Sequence, residues 1–500
     1  MKKQISWGVV LSFISQIISI LVGLAYTPVM VKILGQNEYG LYQLVQSVVN
    51  YLNLMNFGFN GAYIRFFSLA RAKNSEKEIA NVNGMFMGCF LLIAIMCLIM
   101  GTVLLFHIDI LGTQITESDY GIARKLLILM VLTLALSFPN SLFVAYMSAN
   151  EKFIFQKGFN IFMNLLLPAI NLPLLYMGFG SIGVVAVNLF LAIIRLASNF
   201  LYCVKKLNMK ITIGFFDRRI LRSLLGYTFF IFLSDLVDQL NYNVDNFLLG
   251  RLSGTVAVAI YSVGSNLKHY YTLVSWIIPE MYVPRANRIA IEEGDDKKLT
   301  EIFTKIGRYN NYVILLISTG FFLVGKTFVR LWVGEEYDLS YRVCLILMIA
   351  GYVAAIQTLG VNIQNAKNMH RMRSVVYFFV ACINVISSIF LIRLWGVTGA
   401  SLGTLFAIII GNGLFMNYYY HKFVGLNVFY FWREIIQWTV PACILCGAFK
   451  LLLTFVKINS WFTLALFVIL YSVIYLLLLW FIGIKSDEKK KIIKEIKRIM

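Results

Sequence analysis

Three carboxylates, Asp235, Asp238 and Asp245, stand inside the stretch FLSDLVDQLNYNVDNFLLG, Phe232 to Gly250, whose length and apolar content otherwise suit a membrane-crossing helix. A carboxylate at mid-bilayer costs roughly 2.5–3.5 kcal/mol, so such residues are retained for a use. The chemistry open to them is to bind and release a proton or a cation, because desolvation raises a carboxyl pKa towards neutrality. Two cations occupy similar positions. Lys268 lies near the centre of one apolar stretch and Arg195 near the centre of another. Either suits an anionic group such as a phosphate, or an internal pair with one of the aspartates. Amides form a third group: Gln46, Asn50, Asn53 and Asn241 recur at helical spacing and suit a hydroxyl-rich partner. Arg65 and Arg285 close two further apolar stretches at equivalent positions and serve either as substrate contacts or as snorkelling anchors. No metal-ligand spacing and no nucleophile–base pattern appears, so no catalytic residue, metal or other cofactor is expected beyond a coupling ion, H+ or Na+.

These residues need helices to place them. The chain has 500 residues, 59% hydrophobic and 14% charged, against about a quarter charged in soluble proteins. It reads as an all-α polytopic membrane protein. About 20 apolar residues cross the hydrocarbon core. Fourteen stretches qualify: 6–31, 40–64, 83–107, 126–148, 158–179, 181–204, 224–249, 254–283, 309–331, 342–364, 374–394, 397–420, 434–456 and 460–484. With the N-terminus inside, the inner segments hold 32 Lys and Arg and the outer ones 9; Arg195, Lys268 and Lys450 fall within spans and complete the 44. That bias puts both termini on the cytoplasmic side of the membrane. It also accounts for most of the +20 net charge, which excludes nucleic acid as the partner. The seven cysteines lie in or beside apolar runs, and the Cys443/Cys446 pair reads as packing. The basic tail KSDEKKKIIKEIKRIM has an apolar set at Ile492, Ile493, Ile496 and Ile499; it suits the anionic inner leaflet or free solution equally.

An internal repeat underlies the count. Tyr42 and Tyr261 align at an offset of 219, Arg65 and Arg285 at 220, NSEKEI and GDDKKL at 220, Asn150 and Asn365 at 215, and Gly180 and Gly396 at 216. Six spans per copy is an even number, so both copies insert in the same orientation. The expected arrangement is an N-lobe over 1–208, a C-lobe over 209–422 and two extra helices with the tail over 423–500. The two six-helix lobes would enclose a central cavity. On a helical wheel, Leu233, Leu236, Val237, Leu240, Val244, Phe247 and Leu248 share an arc of roughly 120° while the acids and amides fill the rest. Spans 1, 2, 7 and 8 all carry polar faces, which would line that cavity or hold helices together.

The turn LGQNEYGLY after span 1, the loop EEGDDKKLTEIFTKIGRY after span 8 and the turn GVTGASLG between spans 11 and 12, in that order along fourteen spans, resemble bacterial polysaccharide repeat-unit flippases. These belong to the MOP (multidrug/oligosaccharidyl-lipid/polysaccharide) transporter superfamily. The resemblance implies a lipid-linked oligosaccharide as substrate, carried on undecaprenyl pyrophosphate from the inner to the outer leaflet. It implies membrane lipids and other polysaccharide-assembly proteins as partners, and alternating access as mechanism. A multidrug cation antiporter or a peptidoglycan lipid-precursor flippase of the same superfamily is the competing expectation. A membrane enzyme would need a catalytic constellation that the loops do not offer.

Overall fold

The structure, a computed structural model, describes residues 2–73, 75–112, 117–212, 232, 235–237, 239–240, 243–367, 369–490 and 493. All regular structure among them is helical. Fourteen principal helices are α1 (Lys2–Leu52), α2 (Phe59–Ala72), α3 (Glu76–Phe106), α4 (Glu117–Ala149), α5 (Phe153–Tyr176), α6 (Gly180–Leu201), α7 (Val244–Ser253), α8 (Thr255–Arg288), α9 (Asp296–Val333), α10 (Asp338–Ile356), α11 (Thr358–Ala366), α12 (His370–Ile408), α13 (Val428–Leu452) and α14 (Trp461–Leu478).

Ten helical stretches among the described residues are long and apolar enough to cross a membrane. Two of them, Leu11–Ala72 and Met372–Val424, have 62 and 53 residues. Each is more than twice what one crossing needs, and each is interrupted by a glycine. At Gly35 the backbone takes φ 71 and ψ 174, and at Gly396 φ 54 and ψ −129. A side chain would strain either conformation, so these glycines turn one continuous helix into two crossings. Helix starts are capped as their sequences require. Ser75 accepts the Glu78 N–H, Asp295 accepts those of Lys297 and Lys298, and Ser460 and Thr463 form a reciprocal box at α14. All seven prolines lie inside helices.

The backbone carries the repeat as well. Left-handed or otherwise positive φ recurs at Gly35 and Gly254, Gly112 and Gly334, and Gly180 and Gly396, with separations of 216 to 222 residues. The Ser75 cap of α3 corresponds to the Asp295 cap of α9. Five-residue π-helical turns begin at Tyr202 and at Tyr420, and positive φ follows at Asn208 and Gly425. Equal spacing of such costly local geometries is hard to obtain except by duplication.

The chain forms two compact units. The first holds residues 1–262 and 388–400. Its core lies where α3 and α4 pack together and α4 meets α6, and includes Phe86, Phe90, Phe138 and Tyr63, all at or near zero exposure. The Tyr63 hydroxyl donates to Asn83 Oδ1 at 2.7 Å, and Asn83 Nδ2 donates to the Lys210 carbonyl at 2.8 Å.

The second unit holds residues 263–387 and 401–500, with α9 at its centre. The two extra helices α13 and α14 are fastened to α9 by an aromatic cluster of Tyr312, Trp438, Phe449, Phe467, Tyr471 and Tyr475. Trp438 Nε1 donates to Tyr475 Oη at 2.8 Å, and Tyr475 Oη donates to the Tyr312 carbonyl at 2.9 Å. A buried ion group completes the attachment. Arg308 on α9 pairs with Glu434 on α13 at 3.0 Å and with Glu488 at the root of the tail. Lys485 also reaches Glu434, and the Tyr309 hydroxyl donates to Glu488 at 2.9 Å. The tail set Ile492, Ile496 and Ile499 lies outside the described residues.

Removing one member of a buried ion group leaves the others unpaired, at about 3–5 kcal/mol. Arg308→Ala is therefore expected to lower the melting temperature of the detergent-purified protein by several degrees. Lys73→Ala, at the exposed Lys73–Glu78 pair, should leave it unchanged.

Candidate functional site

In the first unit a cavity of about 430 Å³ opens among α1, α4, α5 and α6. Three helices contribute a polar stripe with the same spacing. Ser19, Gly23 and Tyr26 come from α1, Thr133, Ser137 and Asn140 from α4, and Asn188, Ala192 and Arg195 from α6. Positions i, i+4 and i+7 share one helical face, so each stripe points one way. Asn164 of α5 and the apolar side chains of Val22, Leu136, Met163, Leu167 and Leu191 complete the wall. The register of α1 against α6 is set by Glu38, whose Oε1 accepts the Ser181 N–H at 2.6 Å and the Ser181 hydroxyl at 2.7 Å. From that contact Tyr26 and Asn188 are the nearer pair and Ser19 and Arg195 the farther pair.

Several wall groups are already satisfied. Asn164 Nδ2 donates to Ser19 Oγ at 2.8 Å, and Asn199 Nδ2 donates to Asn140 Oδ1 at 2.8 Å. The Thr133 and Ser137 hydroxyls donate back to carbonyls of their own helix. Others are not. Asn188 Oδ1 is buried with no hydrogen-bond partner, while the buried Tyr26 hydroxyl and Asn171 amide face each other. Arg195 is half-buried and has no charged neighbour among the described residues. Among the described residues the wall contains no acid. Such a place attracts an anion and can hydrogen-bond to hydroxyls.

Among the described residues of the candidate set, Arg195 alone lines this cavity. Gln46, Asn50 and the second-repeat segment form a separate chain in the same unit. Gln46 Nε2 donates to Asn50 Oδ1 at 3.0 Å, Asn50 Nδ2 to Asn243 Oδ1 at 3.2 Å, and Asn243 Nδ2 to Gln239 Oε1. Asn53 is exposed in the short turn after α1. Asp238 and Asn241 lie outside the described residues. Asp235 is half-buried. Asp245 is buried, and its carboxylate accepts the Tyr261 hydroxyl at 2.5 Å and the Ser388 hydroxyl at 2.9 Å. Lys268 belongs to the second unit, where its aliphatic chain packs over Gly351. Arg65 and Arg285 are both exposed. The polar residues of α4, α5 and α6 were not singled out from sequence; the shared i, i+4, i+7 spacing of Asn188 with Arg195 is the signal that marks them.

The first unit also closes tightly at the end that carries Gly35 and Gly254. Asn37 Nδ2 donates to Asp119 at 3.2 Å, and the Thr255 hydroxyl donates to Asn37 Oδ1. Gly40 lies so near the Thr255 carbonyl that a Cβ would stand 1.9 Å from its oxygen. Gly250 packs likewise on Leu44.

Comparison with known proteins places the chain. Residues 29–342 match the family described as "Polysaccharide biosynthesis protein". The chain belongs to that family. It is 22% identical over 500 residues to "Uncharacterized membrane protein EpsK" of Bacillus subtilis (strain 168), covering 96% of each chain. It is 20% identical over 399 residues to "Putative O-antigen transporter" of Shigella flexneri, covering 78% of this chain and 91% of the other. Among solved structures it resembles "Lipid II flippase MurJ, inward closed conformation" with a TM-score of 0.74 and 15% identity, over 94% of this chain and 97% of that one. An inward-facing MATE family transporter of the MOP superfamily matches at 0.56 and 12%, over 79% and 92%. The fold is therefore that of the superfamily read from the sequence motifs. This polysaccharide biosynthesis protein keeps the fold while walling its first-unit cavity with one arginine, neutral polar groups and apolar side chains.

The Gly40 contact tolerates no added methyl without movement. Gly40→Ala is expected to cost about 1–3 kcal/mol by overpacking, read as a lowered melting temperature. Gly61→Ala, where a Cβ meets nothing within 4 Å, should cost nothing measurable.

Proposed function

We propose that this polysaccharide biosynthesis protein is a flippase. It would carry an undecaprenyl-pyrophosphate-linked oligosaccharide repeat unit from the inner to the outer leaflet of the bacterial plasma membrane, for surface polysaccharide assembly. The carrying observation is the first-unit cavity, which has Arg195 among amides, hydroxyls and apolar side chains in its wall and no acid among its described residues. A diphosphate bearing sugars is anionic and rich in hydroxyls, and this lining offers a guanidinium together with amides and hydroxyls. The names of two similar proteins, an O-antigen transporter and a lipid II flippase, support the same substrate chemistry. The polyprenyl tail needs no polar site and stays in the bilayer while the headgroup crosses by alternating access. The 32-to-9 distribution of Lys and Arg supports cytoplasmic termini, with Arg195 towards the inner side of α6 and Asn188 towards the outer.

On this reading the contacts around Asn37, Gly40 and Thr255 form a closed outer end that must part for release. Proton or sodium coupling is assigned to Asp235. Its carboxylate is half-buried with no charged neighbour among the described residues, whereas Asp245 is held by two hydroxyls. A multidrug cation exporter shares the fold, but a cation would meet Arg195 and, among the described residues, no carboxylate in this cavity.

The decisive test is deletion of the gene with analysis of lipid-linked oligosaccharides. The repeat unit should accumulate on the inner leaflet, and the wild-type gene should restore export. Arg195→Gln should restore less than a tenth of it at equal protein level. In liposomes, Asp235→Asn should flip substrate at a rate indifferent to an imposed proton or sodium gradient, while Asp245→Asn stays gradient-responsive but melts earlier.

A further inference from the structure

The chain leaves the second unit at a fixed point and a fixed rotation. The π-helical turn Leu479–Gly483 ends α14, and the Tyr312 hydroxyl donates to the Gly483 carbonyl at 2.7 Å. Lys485 then pairs with the buried Glu434 at 2.5 Å. Glu488 pairs with the buried Arg308 and accepts the Tyr309 hydroxyl at 2.9 Å. Residues 486–490 are helical. In that turn Lys489 Nζ reaches back to the Phe481 carbonyl at 3.2 Å, where Phe481 and Ile482 stand exposed at the end of an apolar span. The side of the turn that carries Lys489 therefore looks back towards the membrane. Ile493, four residues on, shares that side and is exposed. On a helical wheel Ile492, Ile496 and Ile499 join Ile493 in an arc of about 120° that includes Lys489. Lys490, Lys491, Lys494, Lys497 and Arg498 fill an opposite arc of about the same width.

We propose that residues 485–500 are an anionic-lipid arm, fastened at its root so that binding of inner-leaflet phospholipid headgroups steadies the second unit. Composition alone leaves the leaflet and free solution open, and the root contacts favour the leaflet. A solvated tail would hold its isoleucines in water, where so short a helix is marginal. It would also have no use for a buried ion group that fixes its first turn. Laid on the inner surface, the isoleucine arc enters the headgroup boundary and the basic arc meets anionic headgroups. Glu488 belongs to the arm and Arg308 to α9, so an arm held by lipid keeps that pair together. The inference needs the cytoplasmic position of the C-terminus and not the flippase reading.

The test is amide hydrogen exchange on the full chain in nanodiscs of phosphatidylcholine, with and without phosphatidylglycerol. Amides of residues 491–500 should exchange at least about tenfold more slowly with phosphatidylglycerol present, and high salt should remove the difference. Replacing Lys490, Lys491, Lys494, Lys497 and Arg498 together by glutamine should remove it as well. The wild type should also melt at a higher temperature in the anionic discs, and the glutamine variant should lose that gain. Glu488→Gln should keep the slow exchange and lose the gain, a split that a tail merely attracted to lipid would not produce. Equal exchange in the two lipids overturns the arm, since equally fast exchange means a solvated tail and equally slow exchange a tail packed on protein. Slow exchange in anionic lipid without the gain in melting temperature overturns the link to the second unit.

Discussion

Every polar atom in the membrane-embedded part of this chain needs a partner that lipid cannot supply. The fold can be followed through how that demand is met. Asp245 is met by Tyr261 and Ser388, and Arg308 by Glu434 and Glu488. Asn83 bridges Tyr63 and the Lys210 carbonyl. Apart from Arg308 Nε, these groups find their partners within the protein and lock helices in place. Arg195, with no charged neighbour among the described residues, and Asn188 Oδ1 are not finished, and their side chains share one cavity. Satisfied groups hold the structure, and unsatisfied groups gathered around a space mark where another molecule belongs.

The helices around that space are built to carry it. Each of α1, α4 and α6 offers three polar or small positions to the cavity, with Val22, Leu136 and Leu191 beside them. The satellite cluster of Met163, Val187 and Leu191 packs beside the opening and ties α5 to α6. Pro168 and Pro173 interrupt the hydrogen-bond ladder of α5 and Pro139 that of α4, which lets both helices bend near the cavity. In the second unit the aromatic cluster and the Arg308 group fasten α13 and α14 to α9, and the same chemistry serves attachment instead of access.

Much of the architecture was legible because it is written in apolar run length and in glycine. The runs gave the crossings, and the equal offsets of Tyr42 with Tyr261 and Gly180 with Gly396 anticipated the paired turns at Gly35 and Gly254. The site was legible only in part. Arg195 drew notice because a charge in an apolar span is rare, and it does line the cavity. Its companions were silent. A single asparagine or serine in a span reads as helix glue, and only packing reveals that Asn188, Asn164 and Tyr26 converge. The aspartates were conspicuous for the same reason as Arg195, yet charge alone cannot tell a carboxylate that is finished, as at Asp245, from one that is not.

The Asp245 contact also bears on how the chain is made. Its carboxylate sits 16 residues from Tyr261 but 143 residues from Ser388. During synthesis the first donor reaches the membrane almost at once, while the second arrives only after several more helices have been inserted. Through that interval the nascent chain presents a half-clothed carboxylate within the bilayer. Biogenesis therefore has a built-in order: the early helices must be sheltered, by the insertion machinery or by one another, until the serine comes to relieve them.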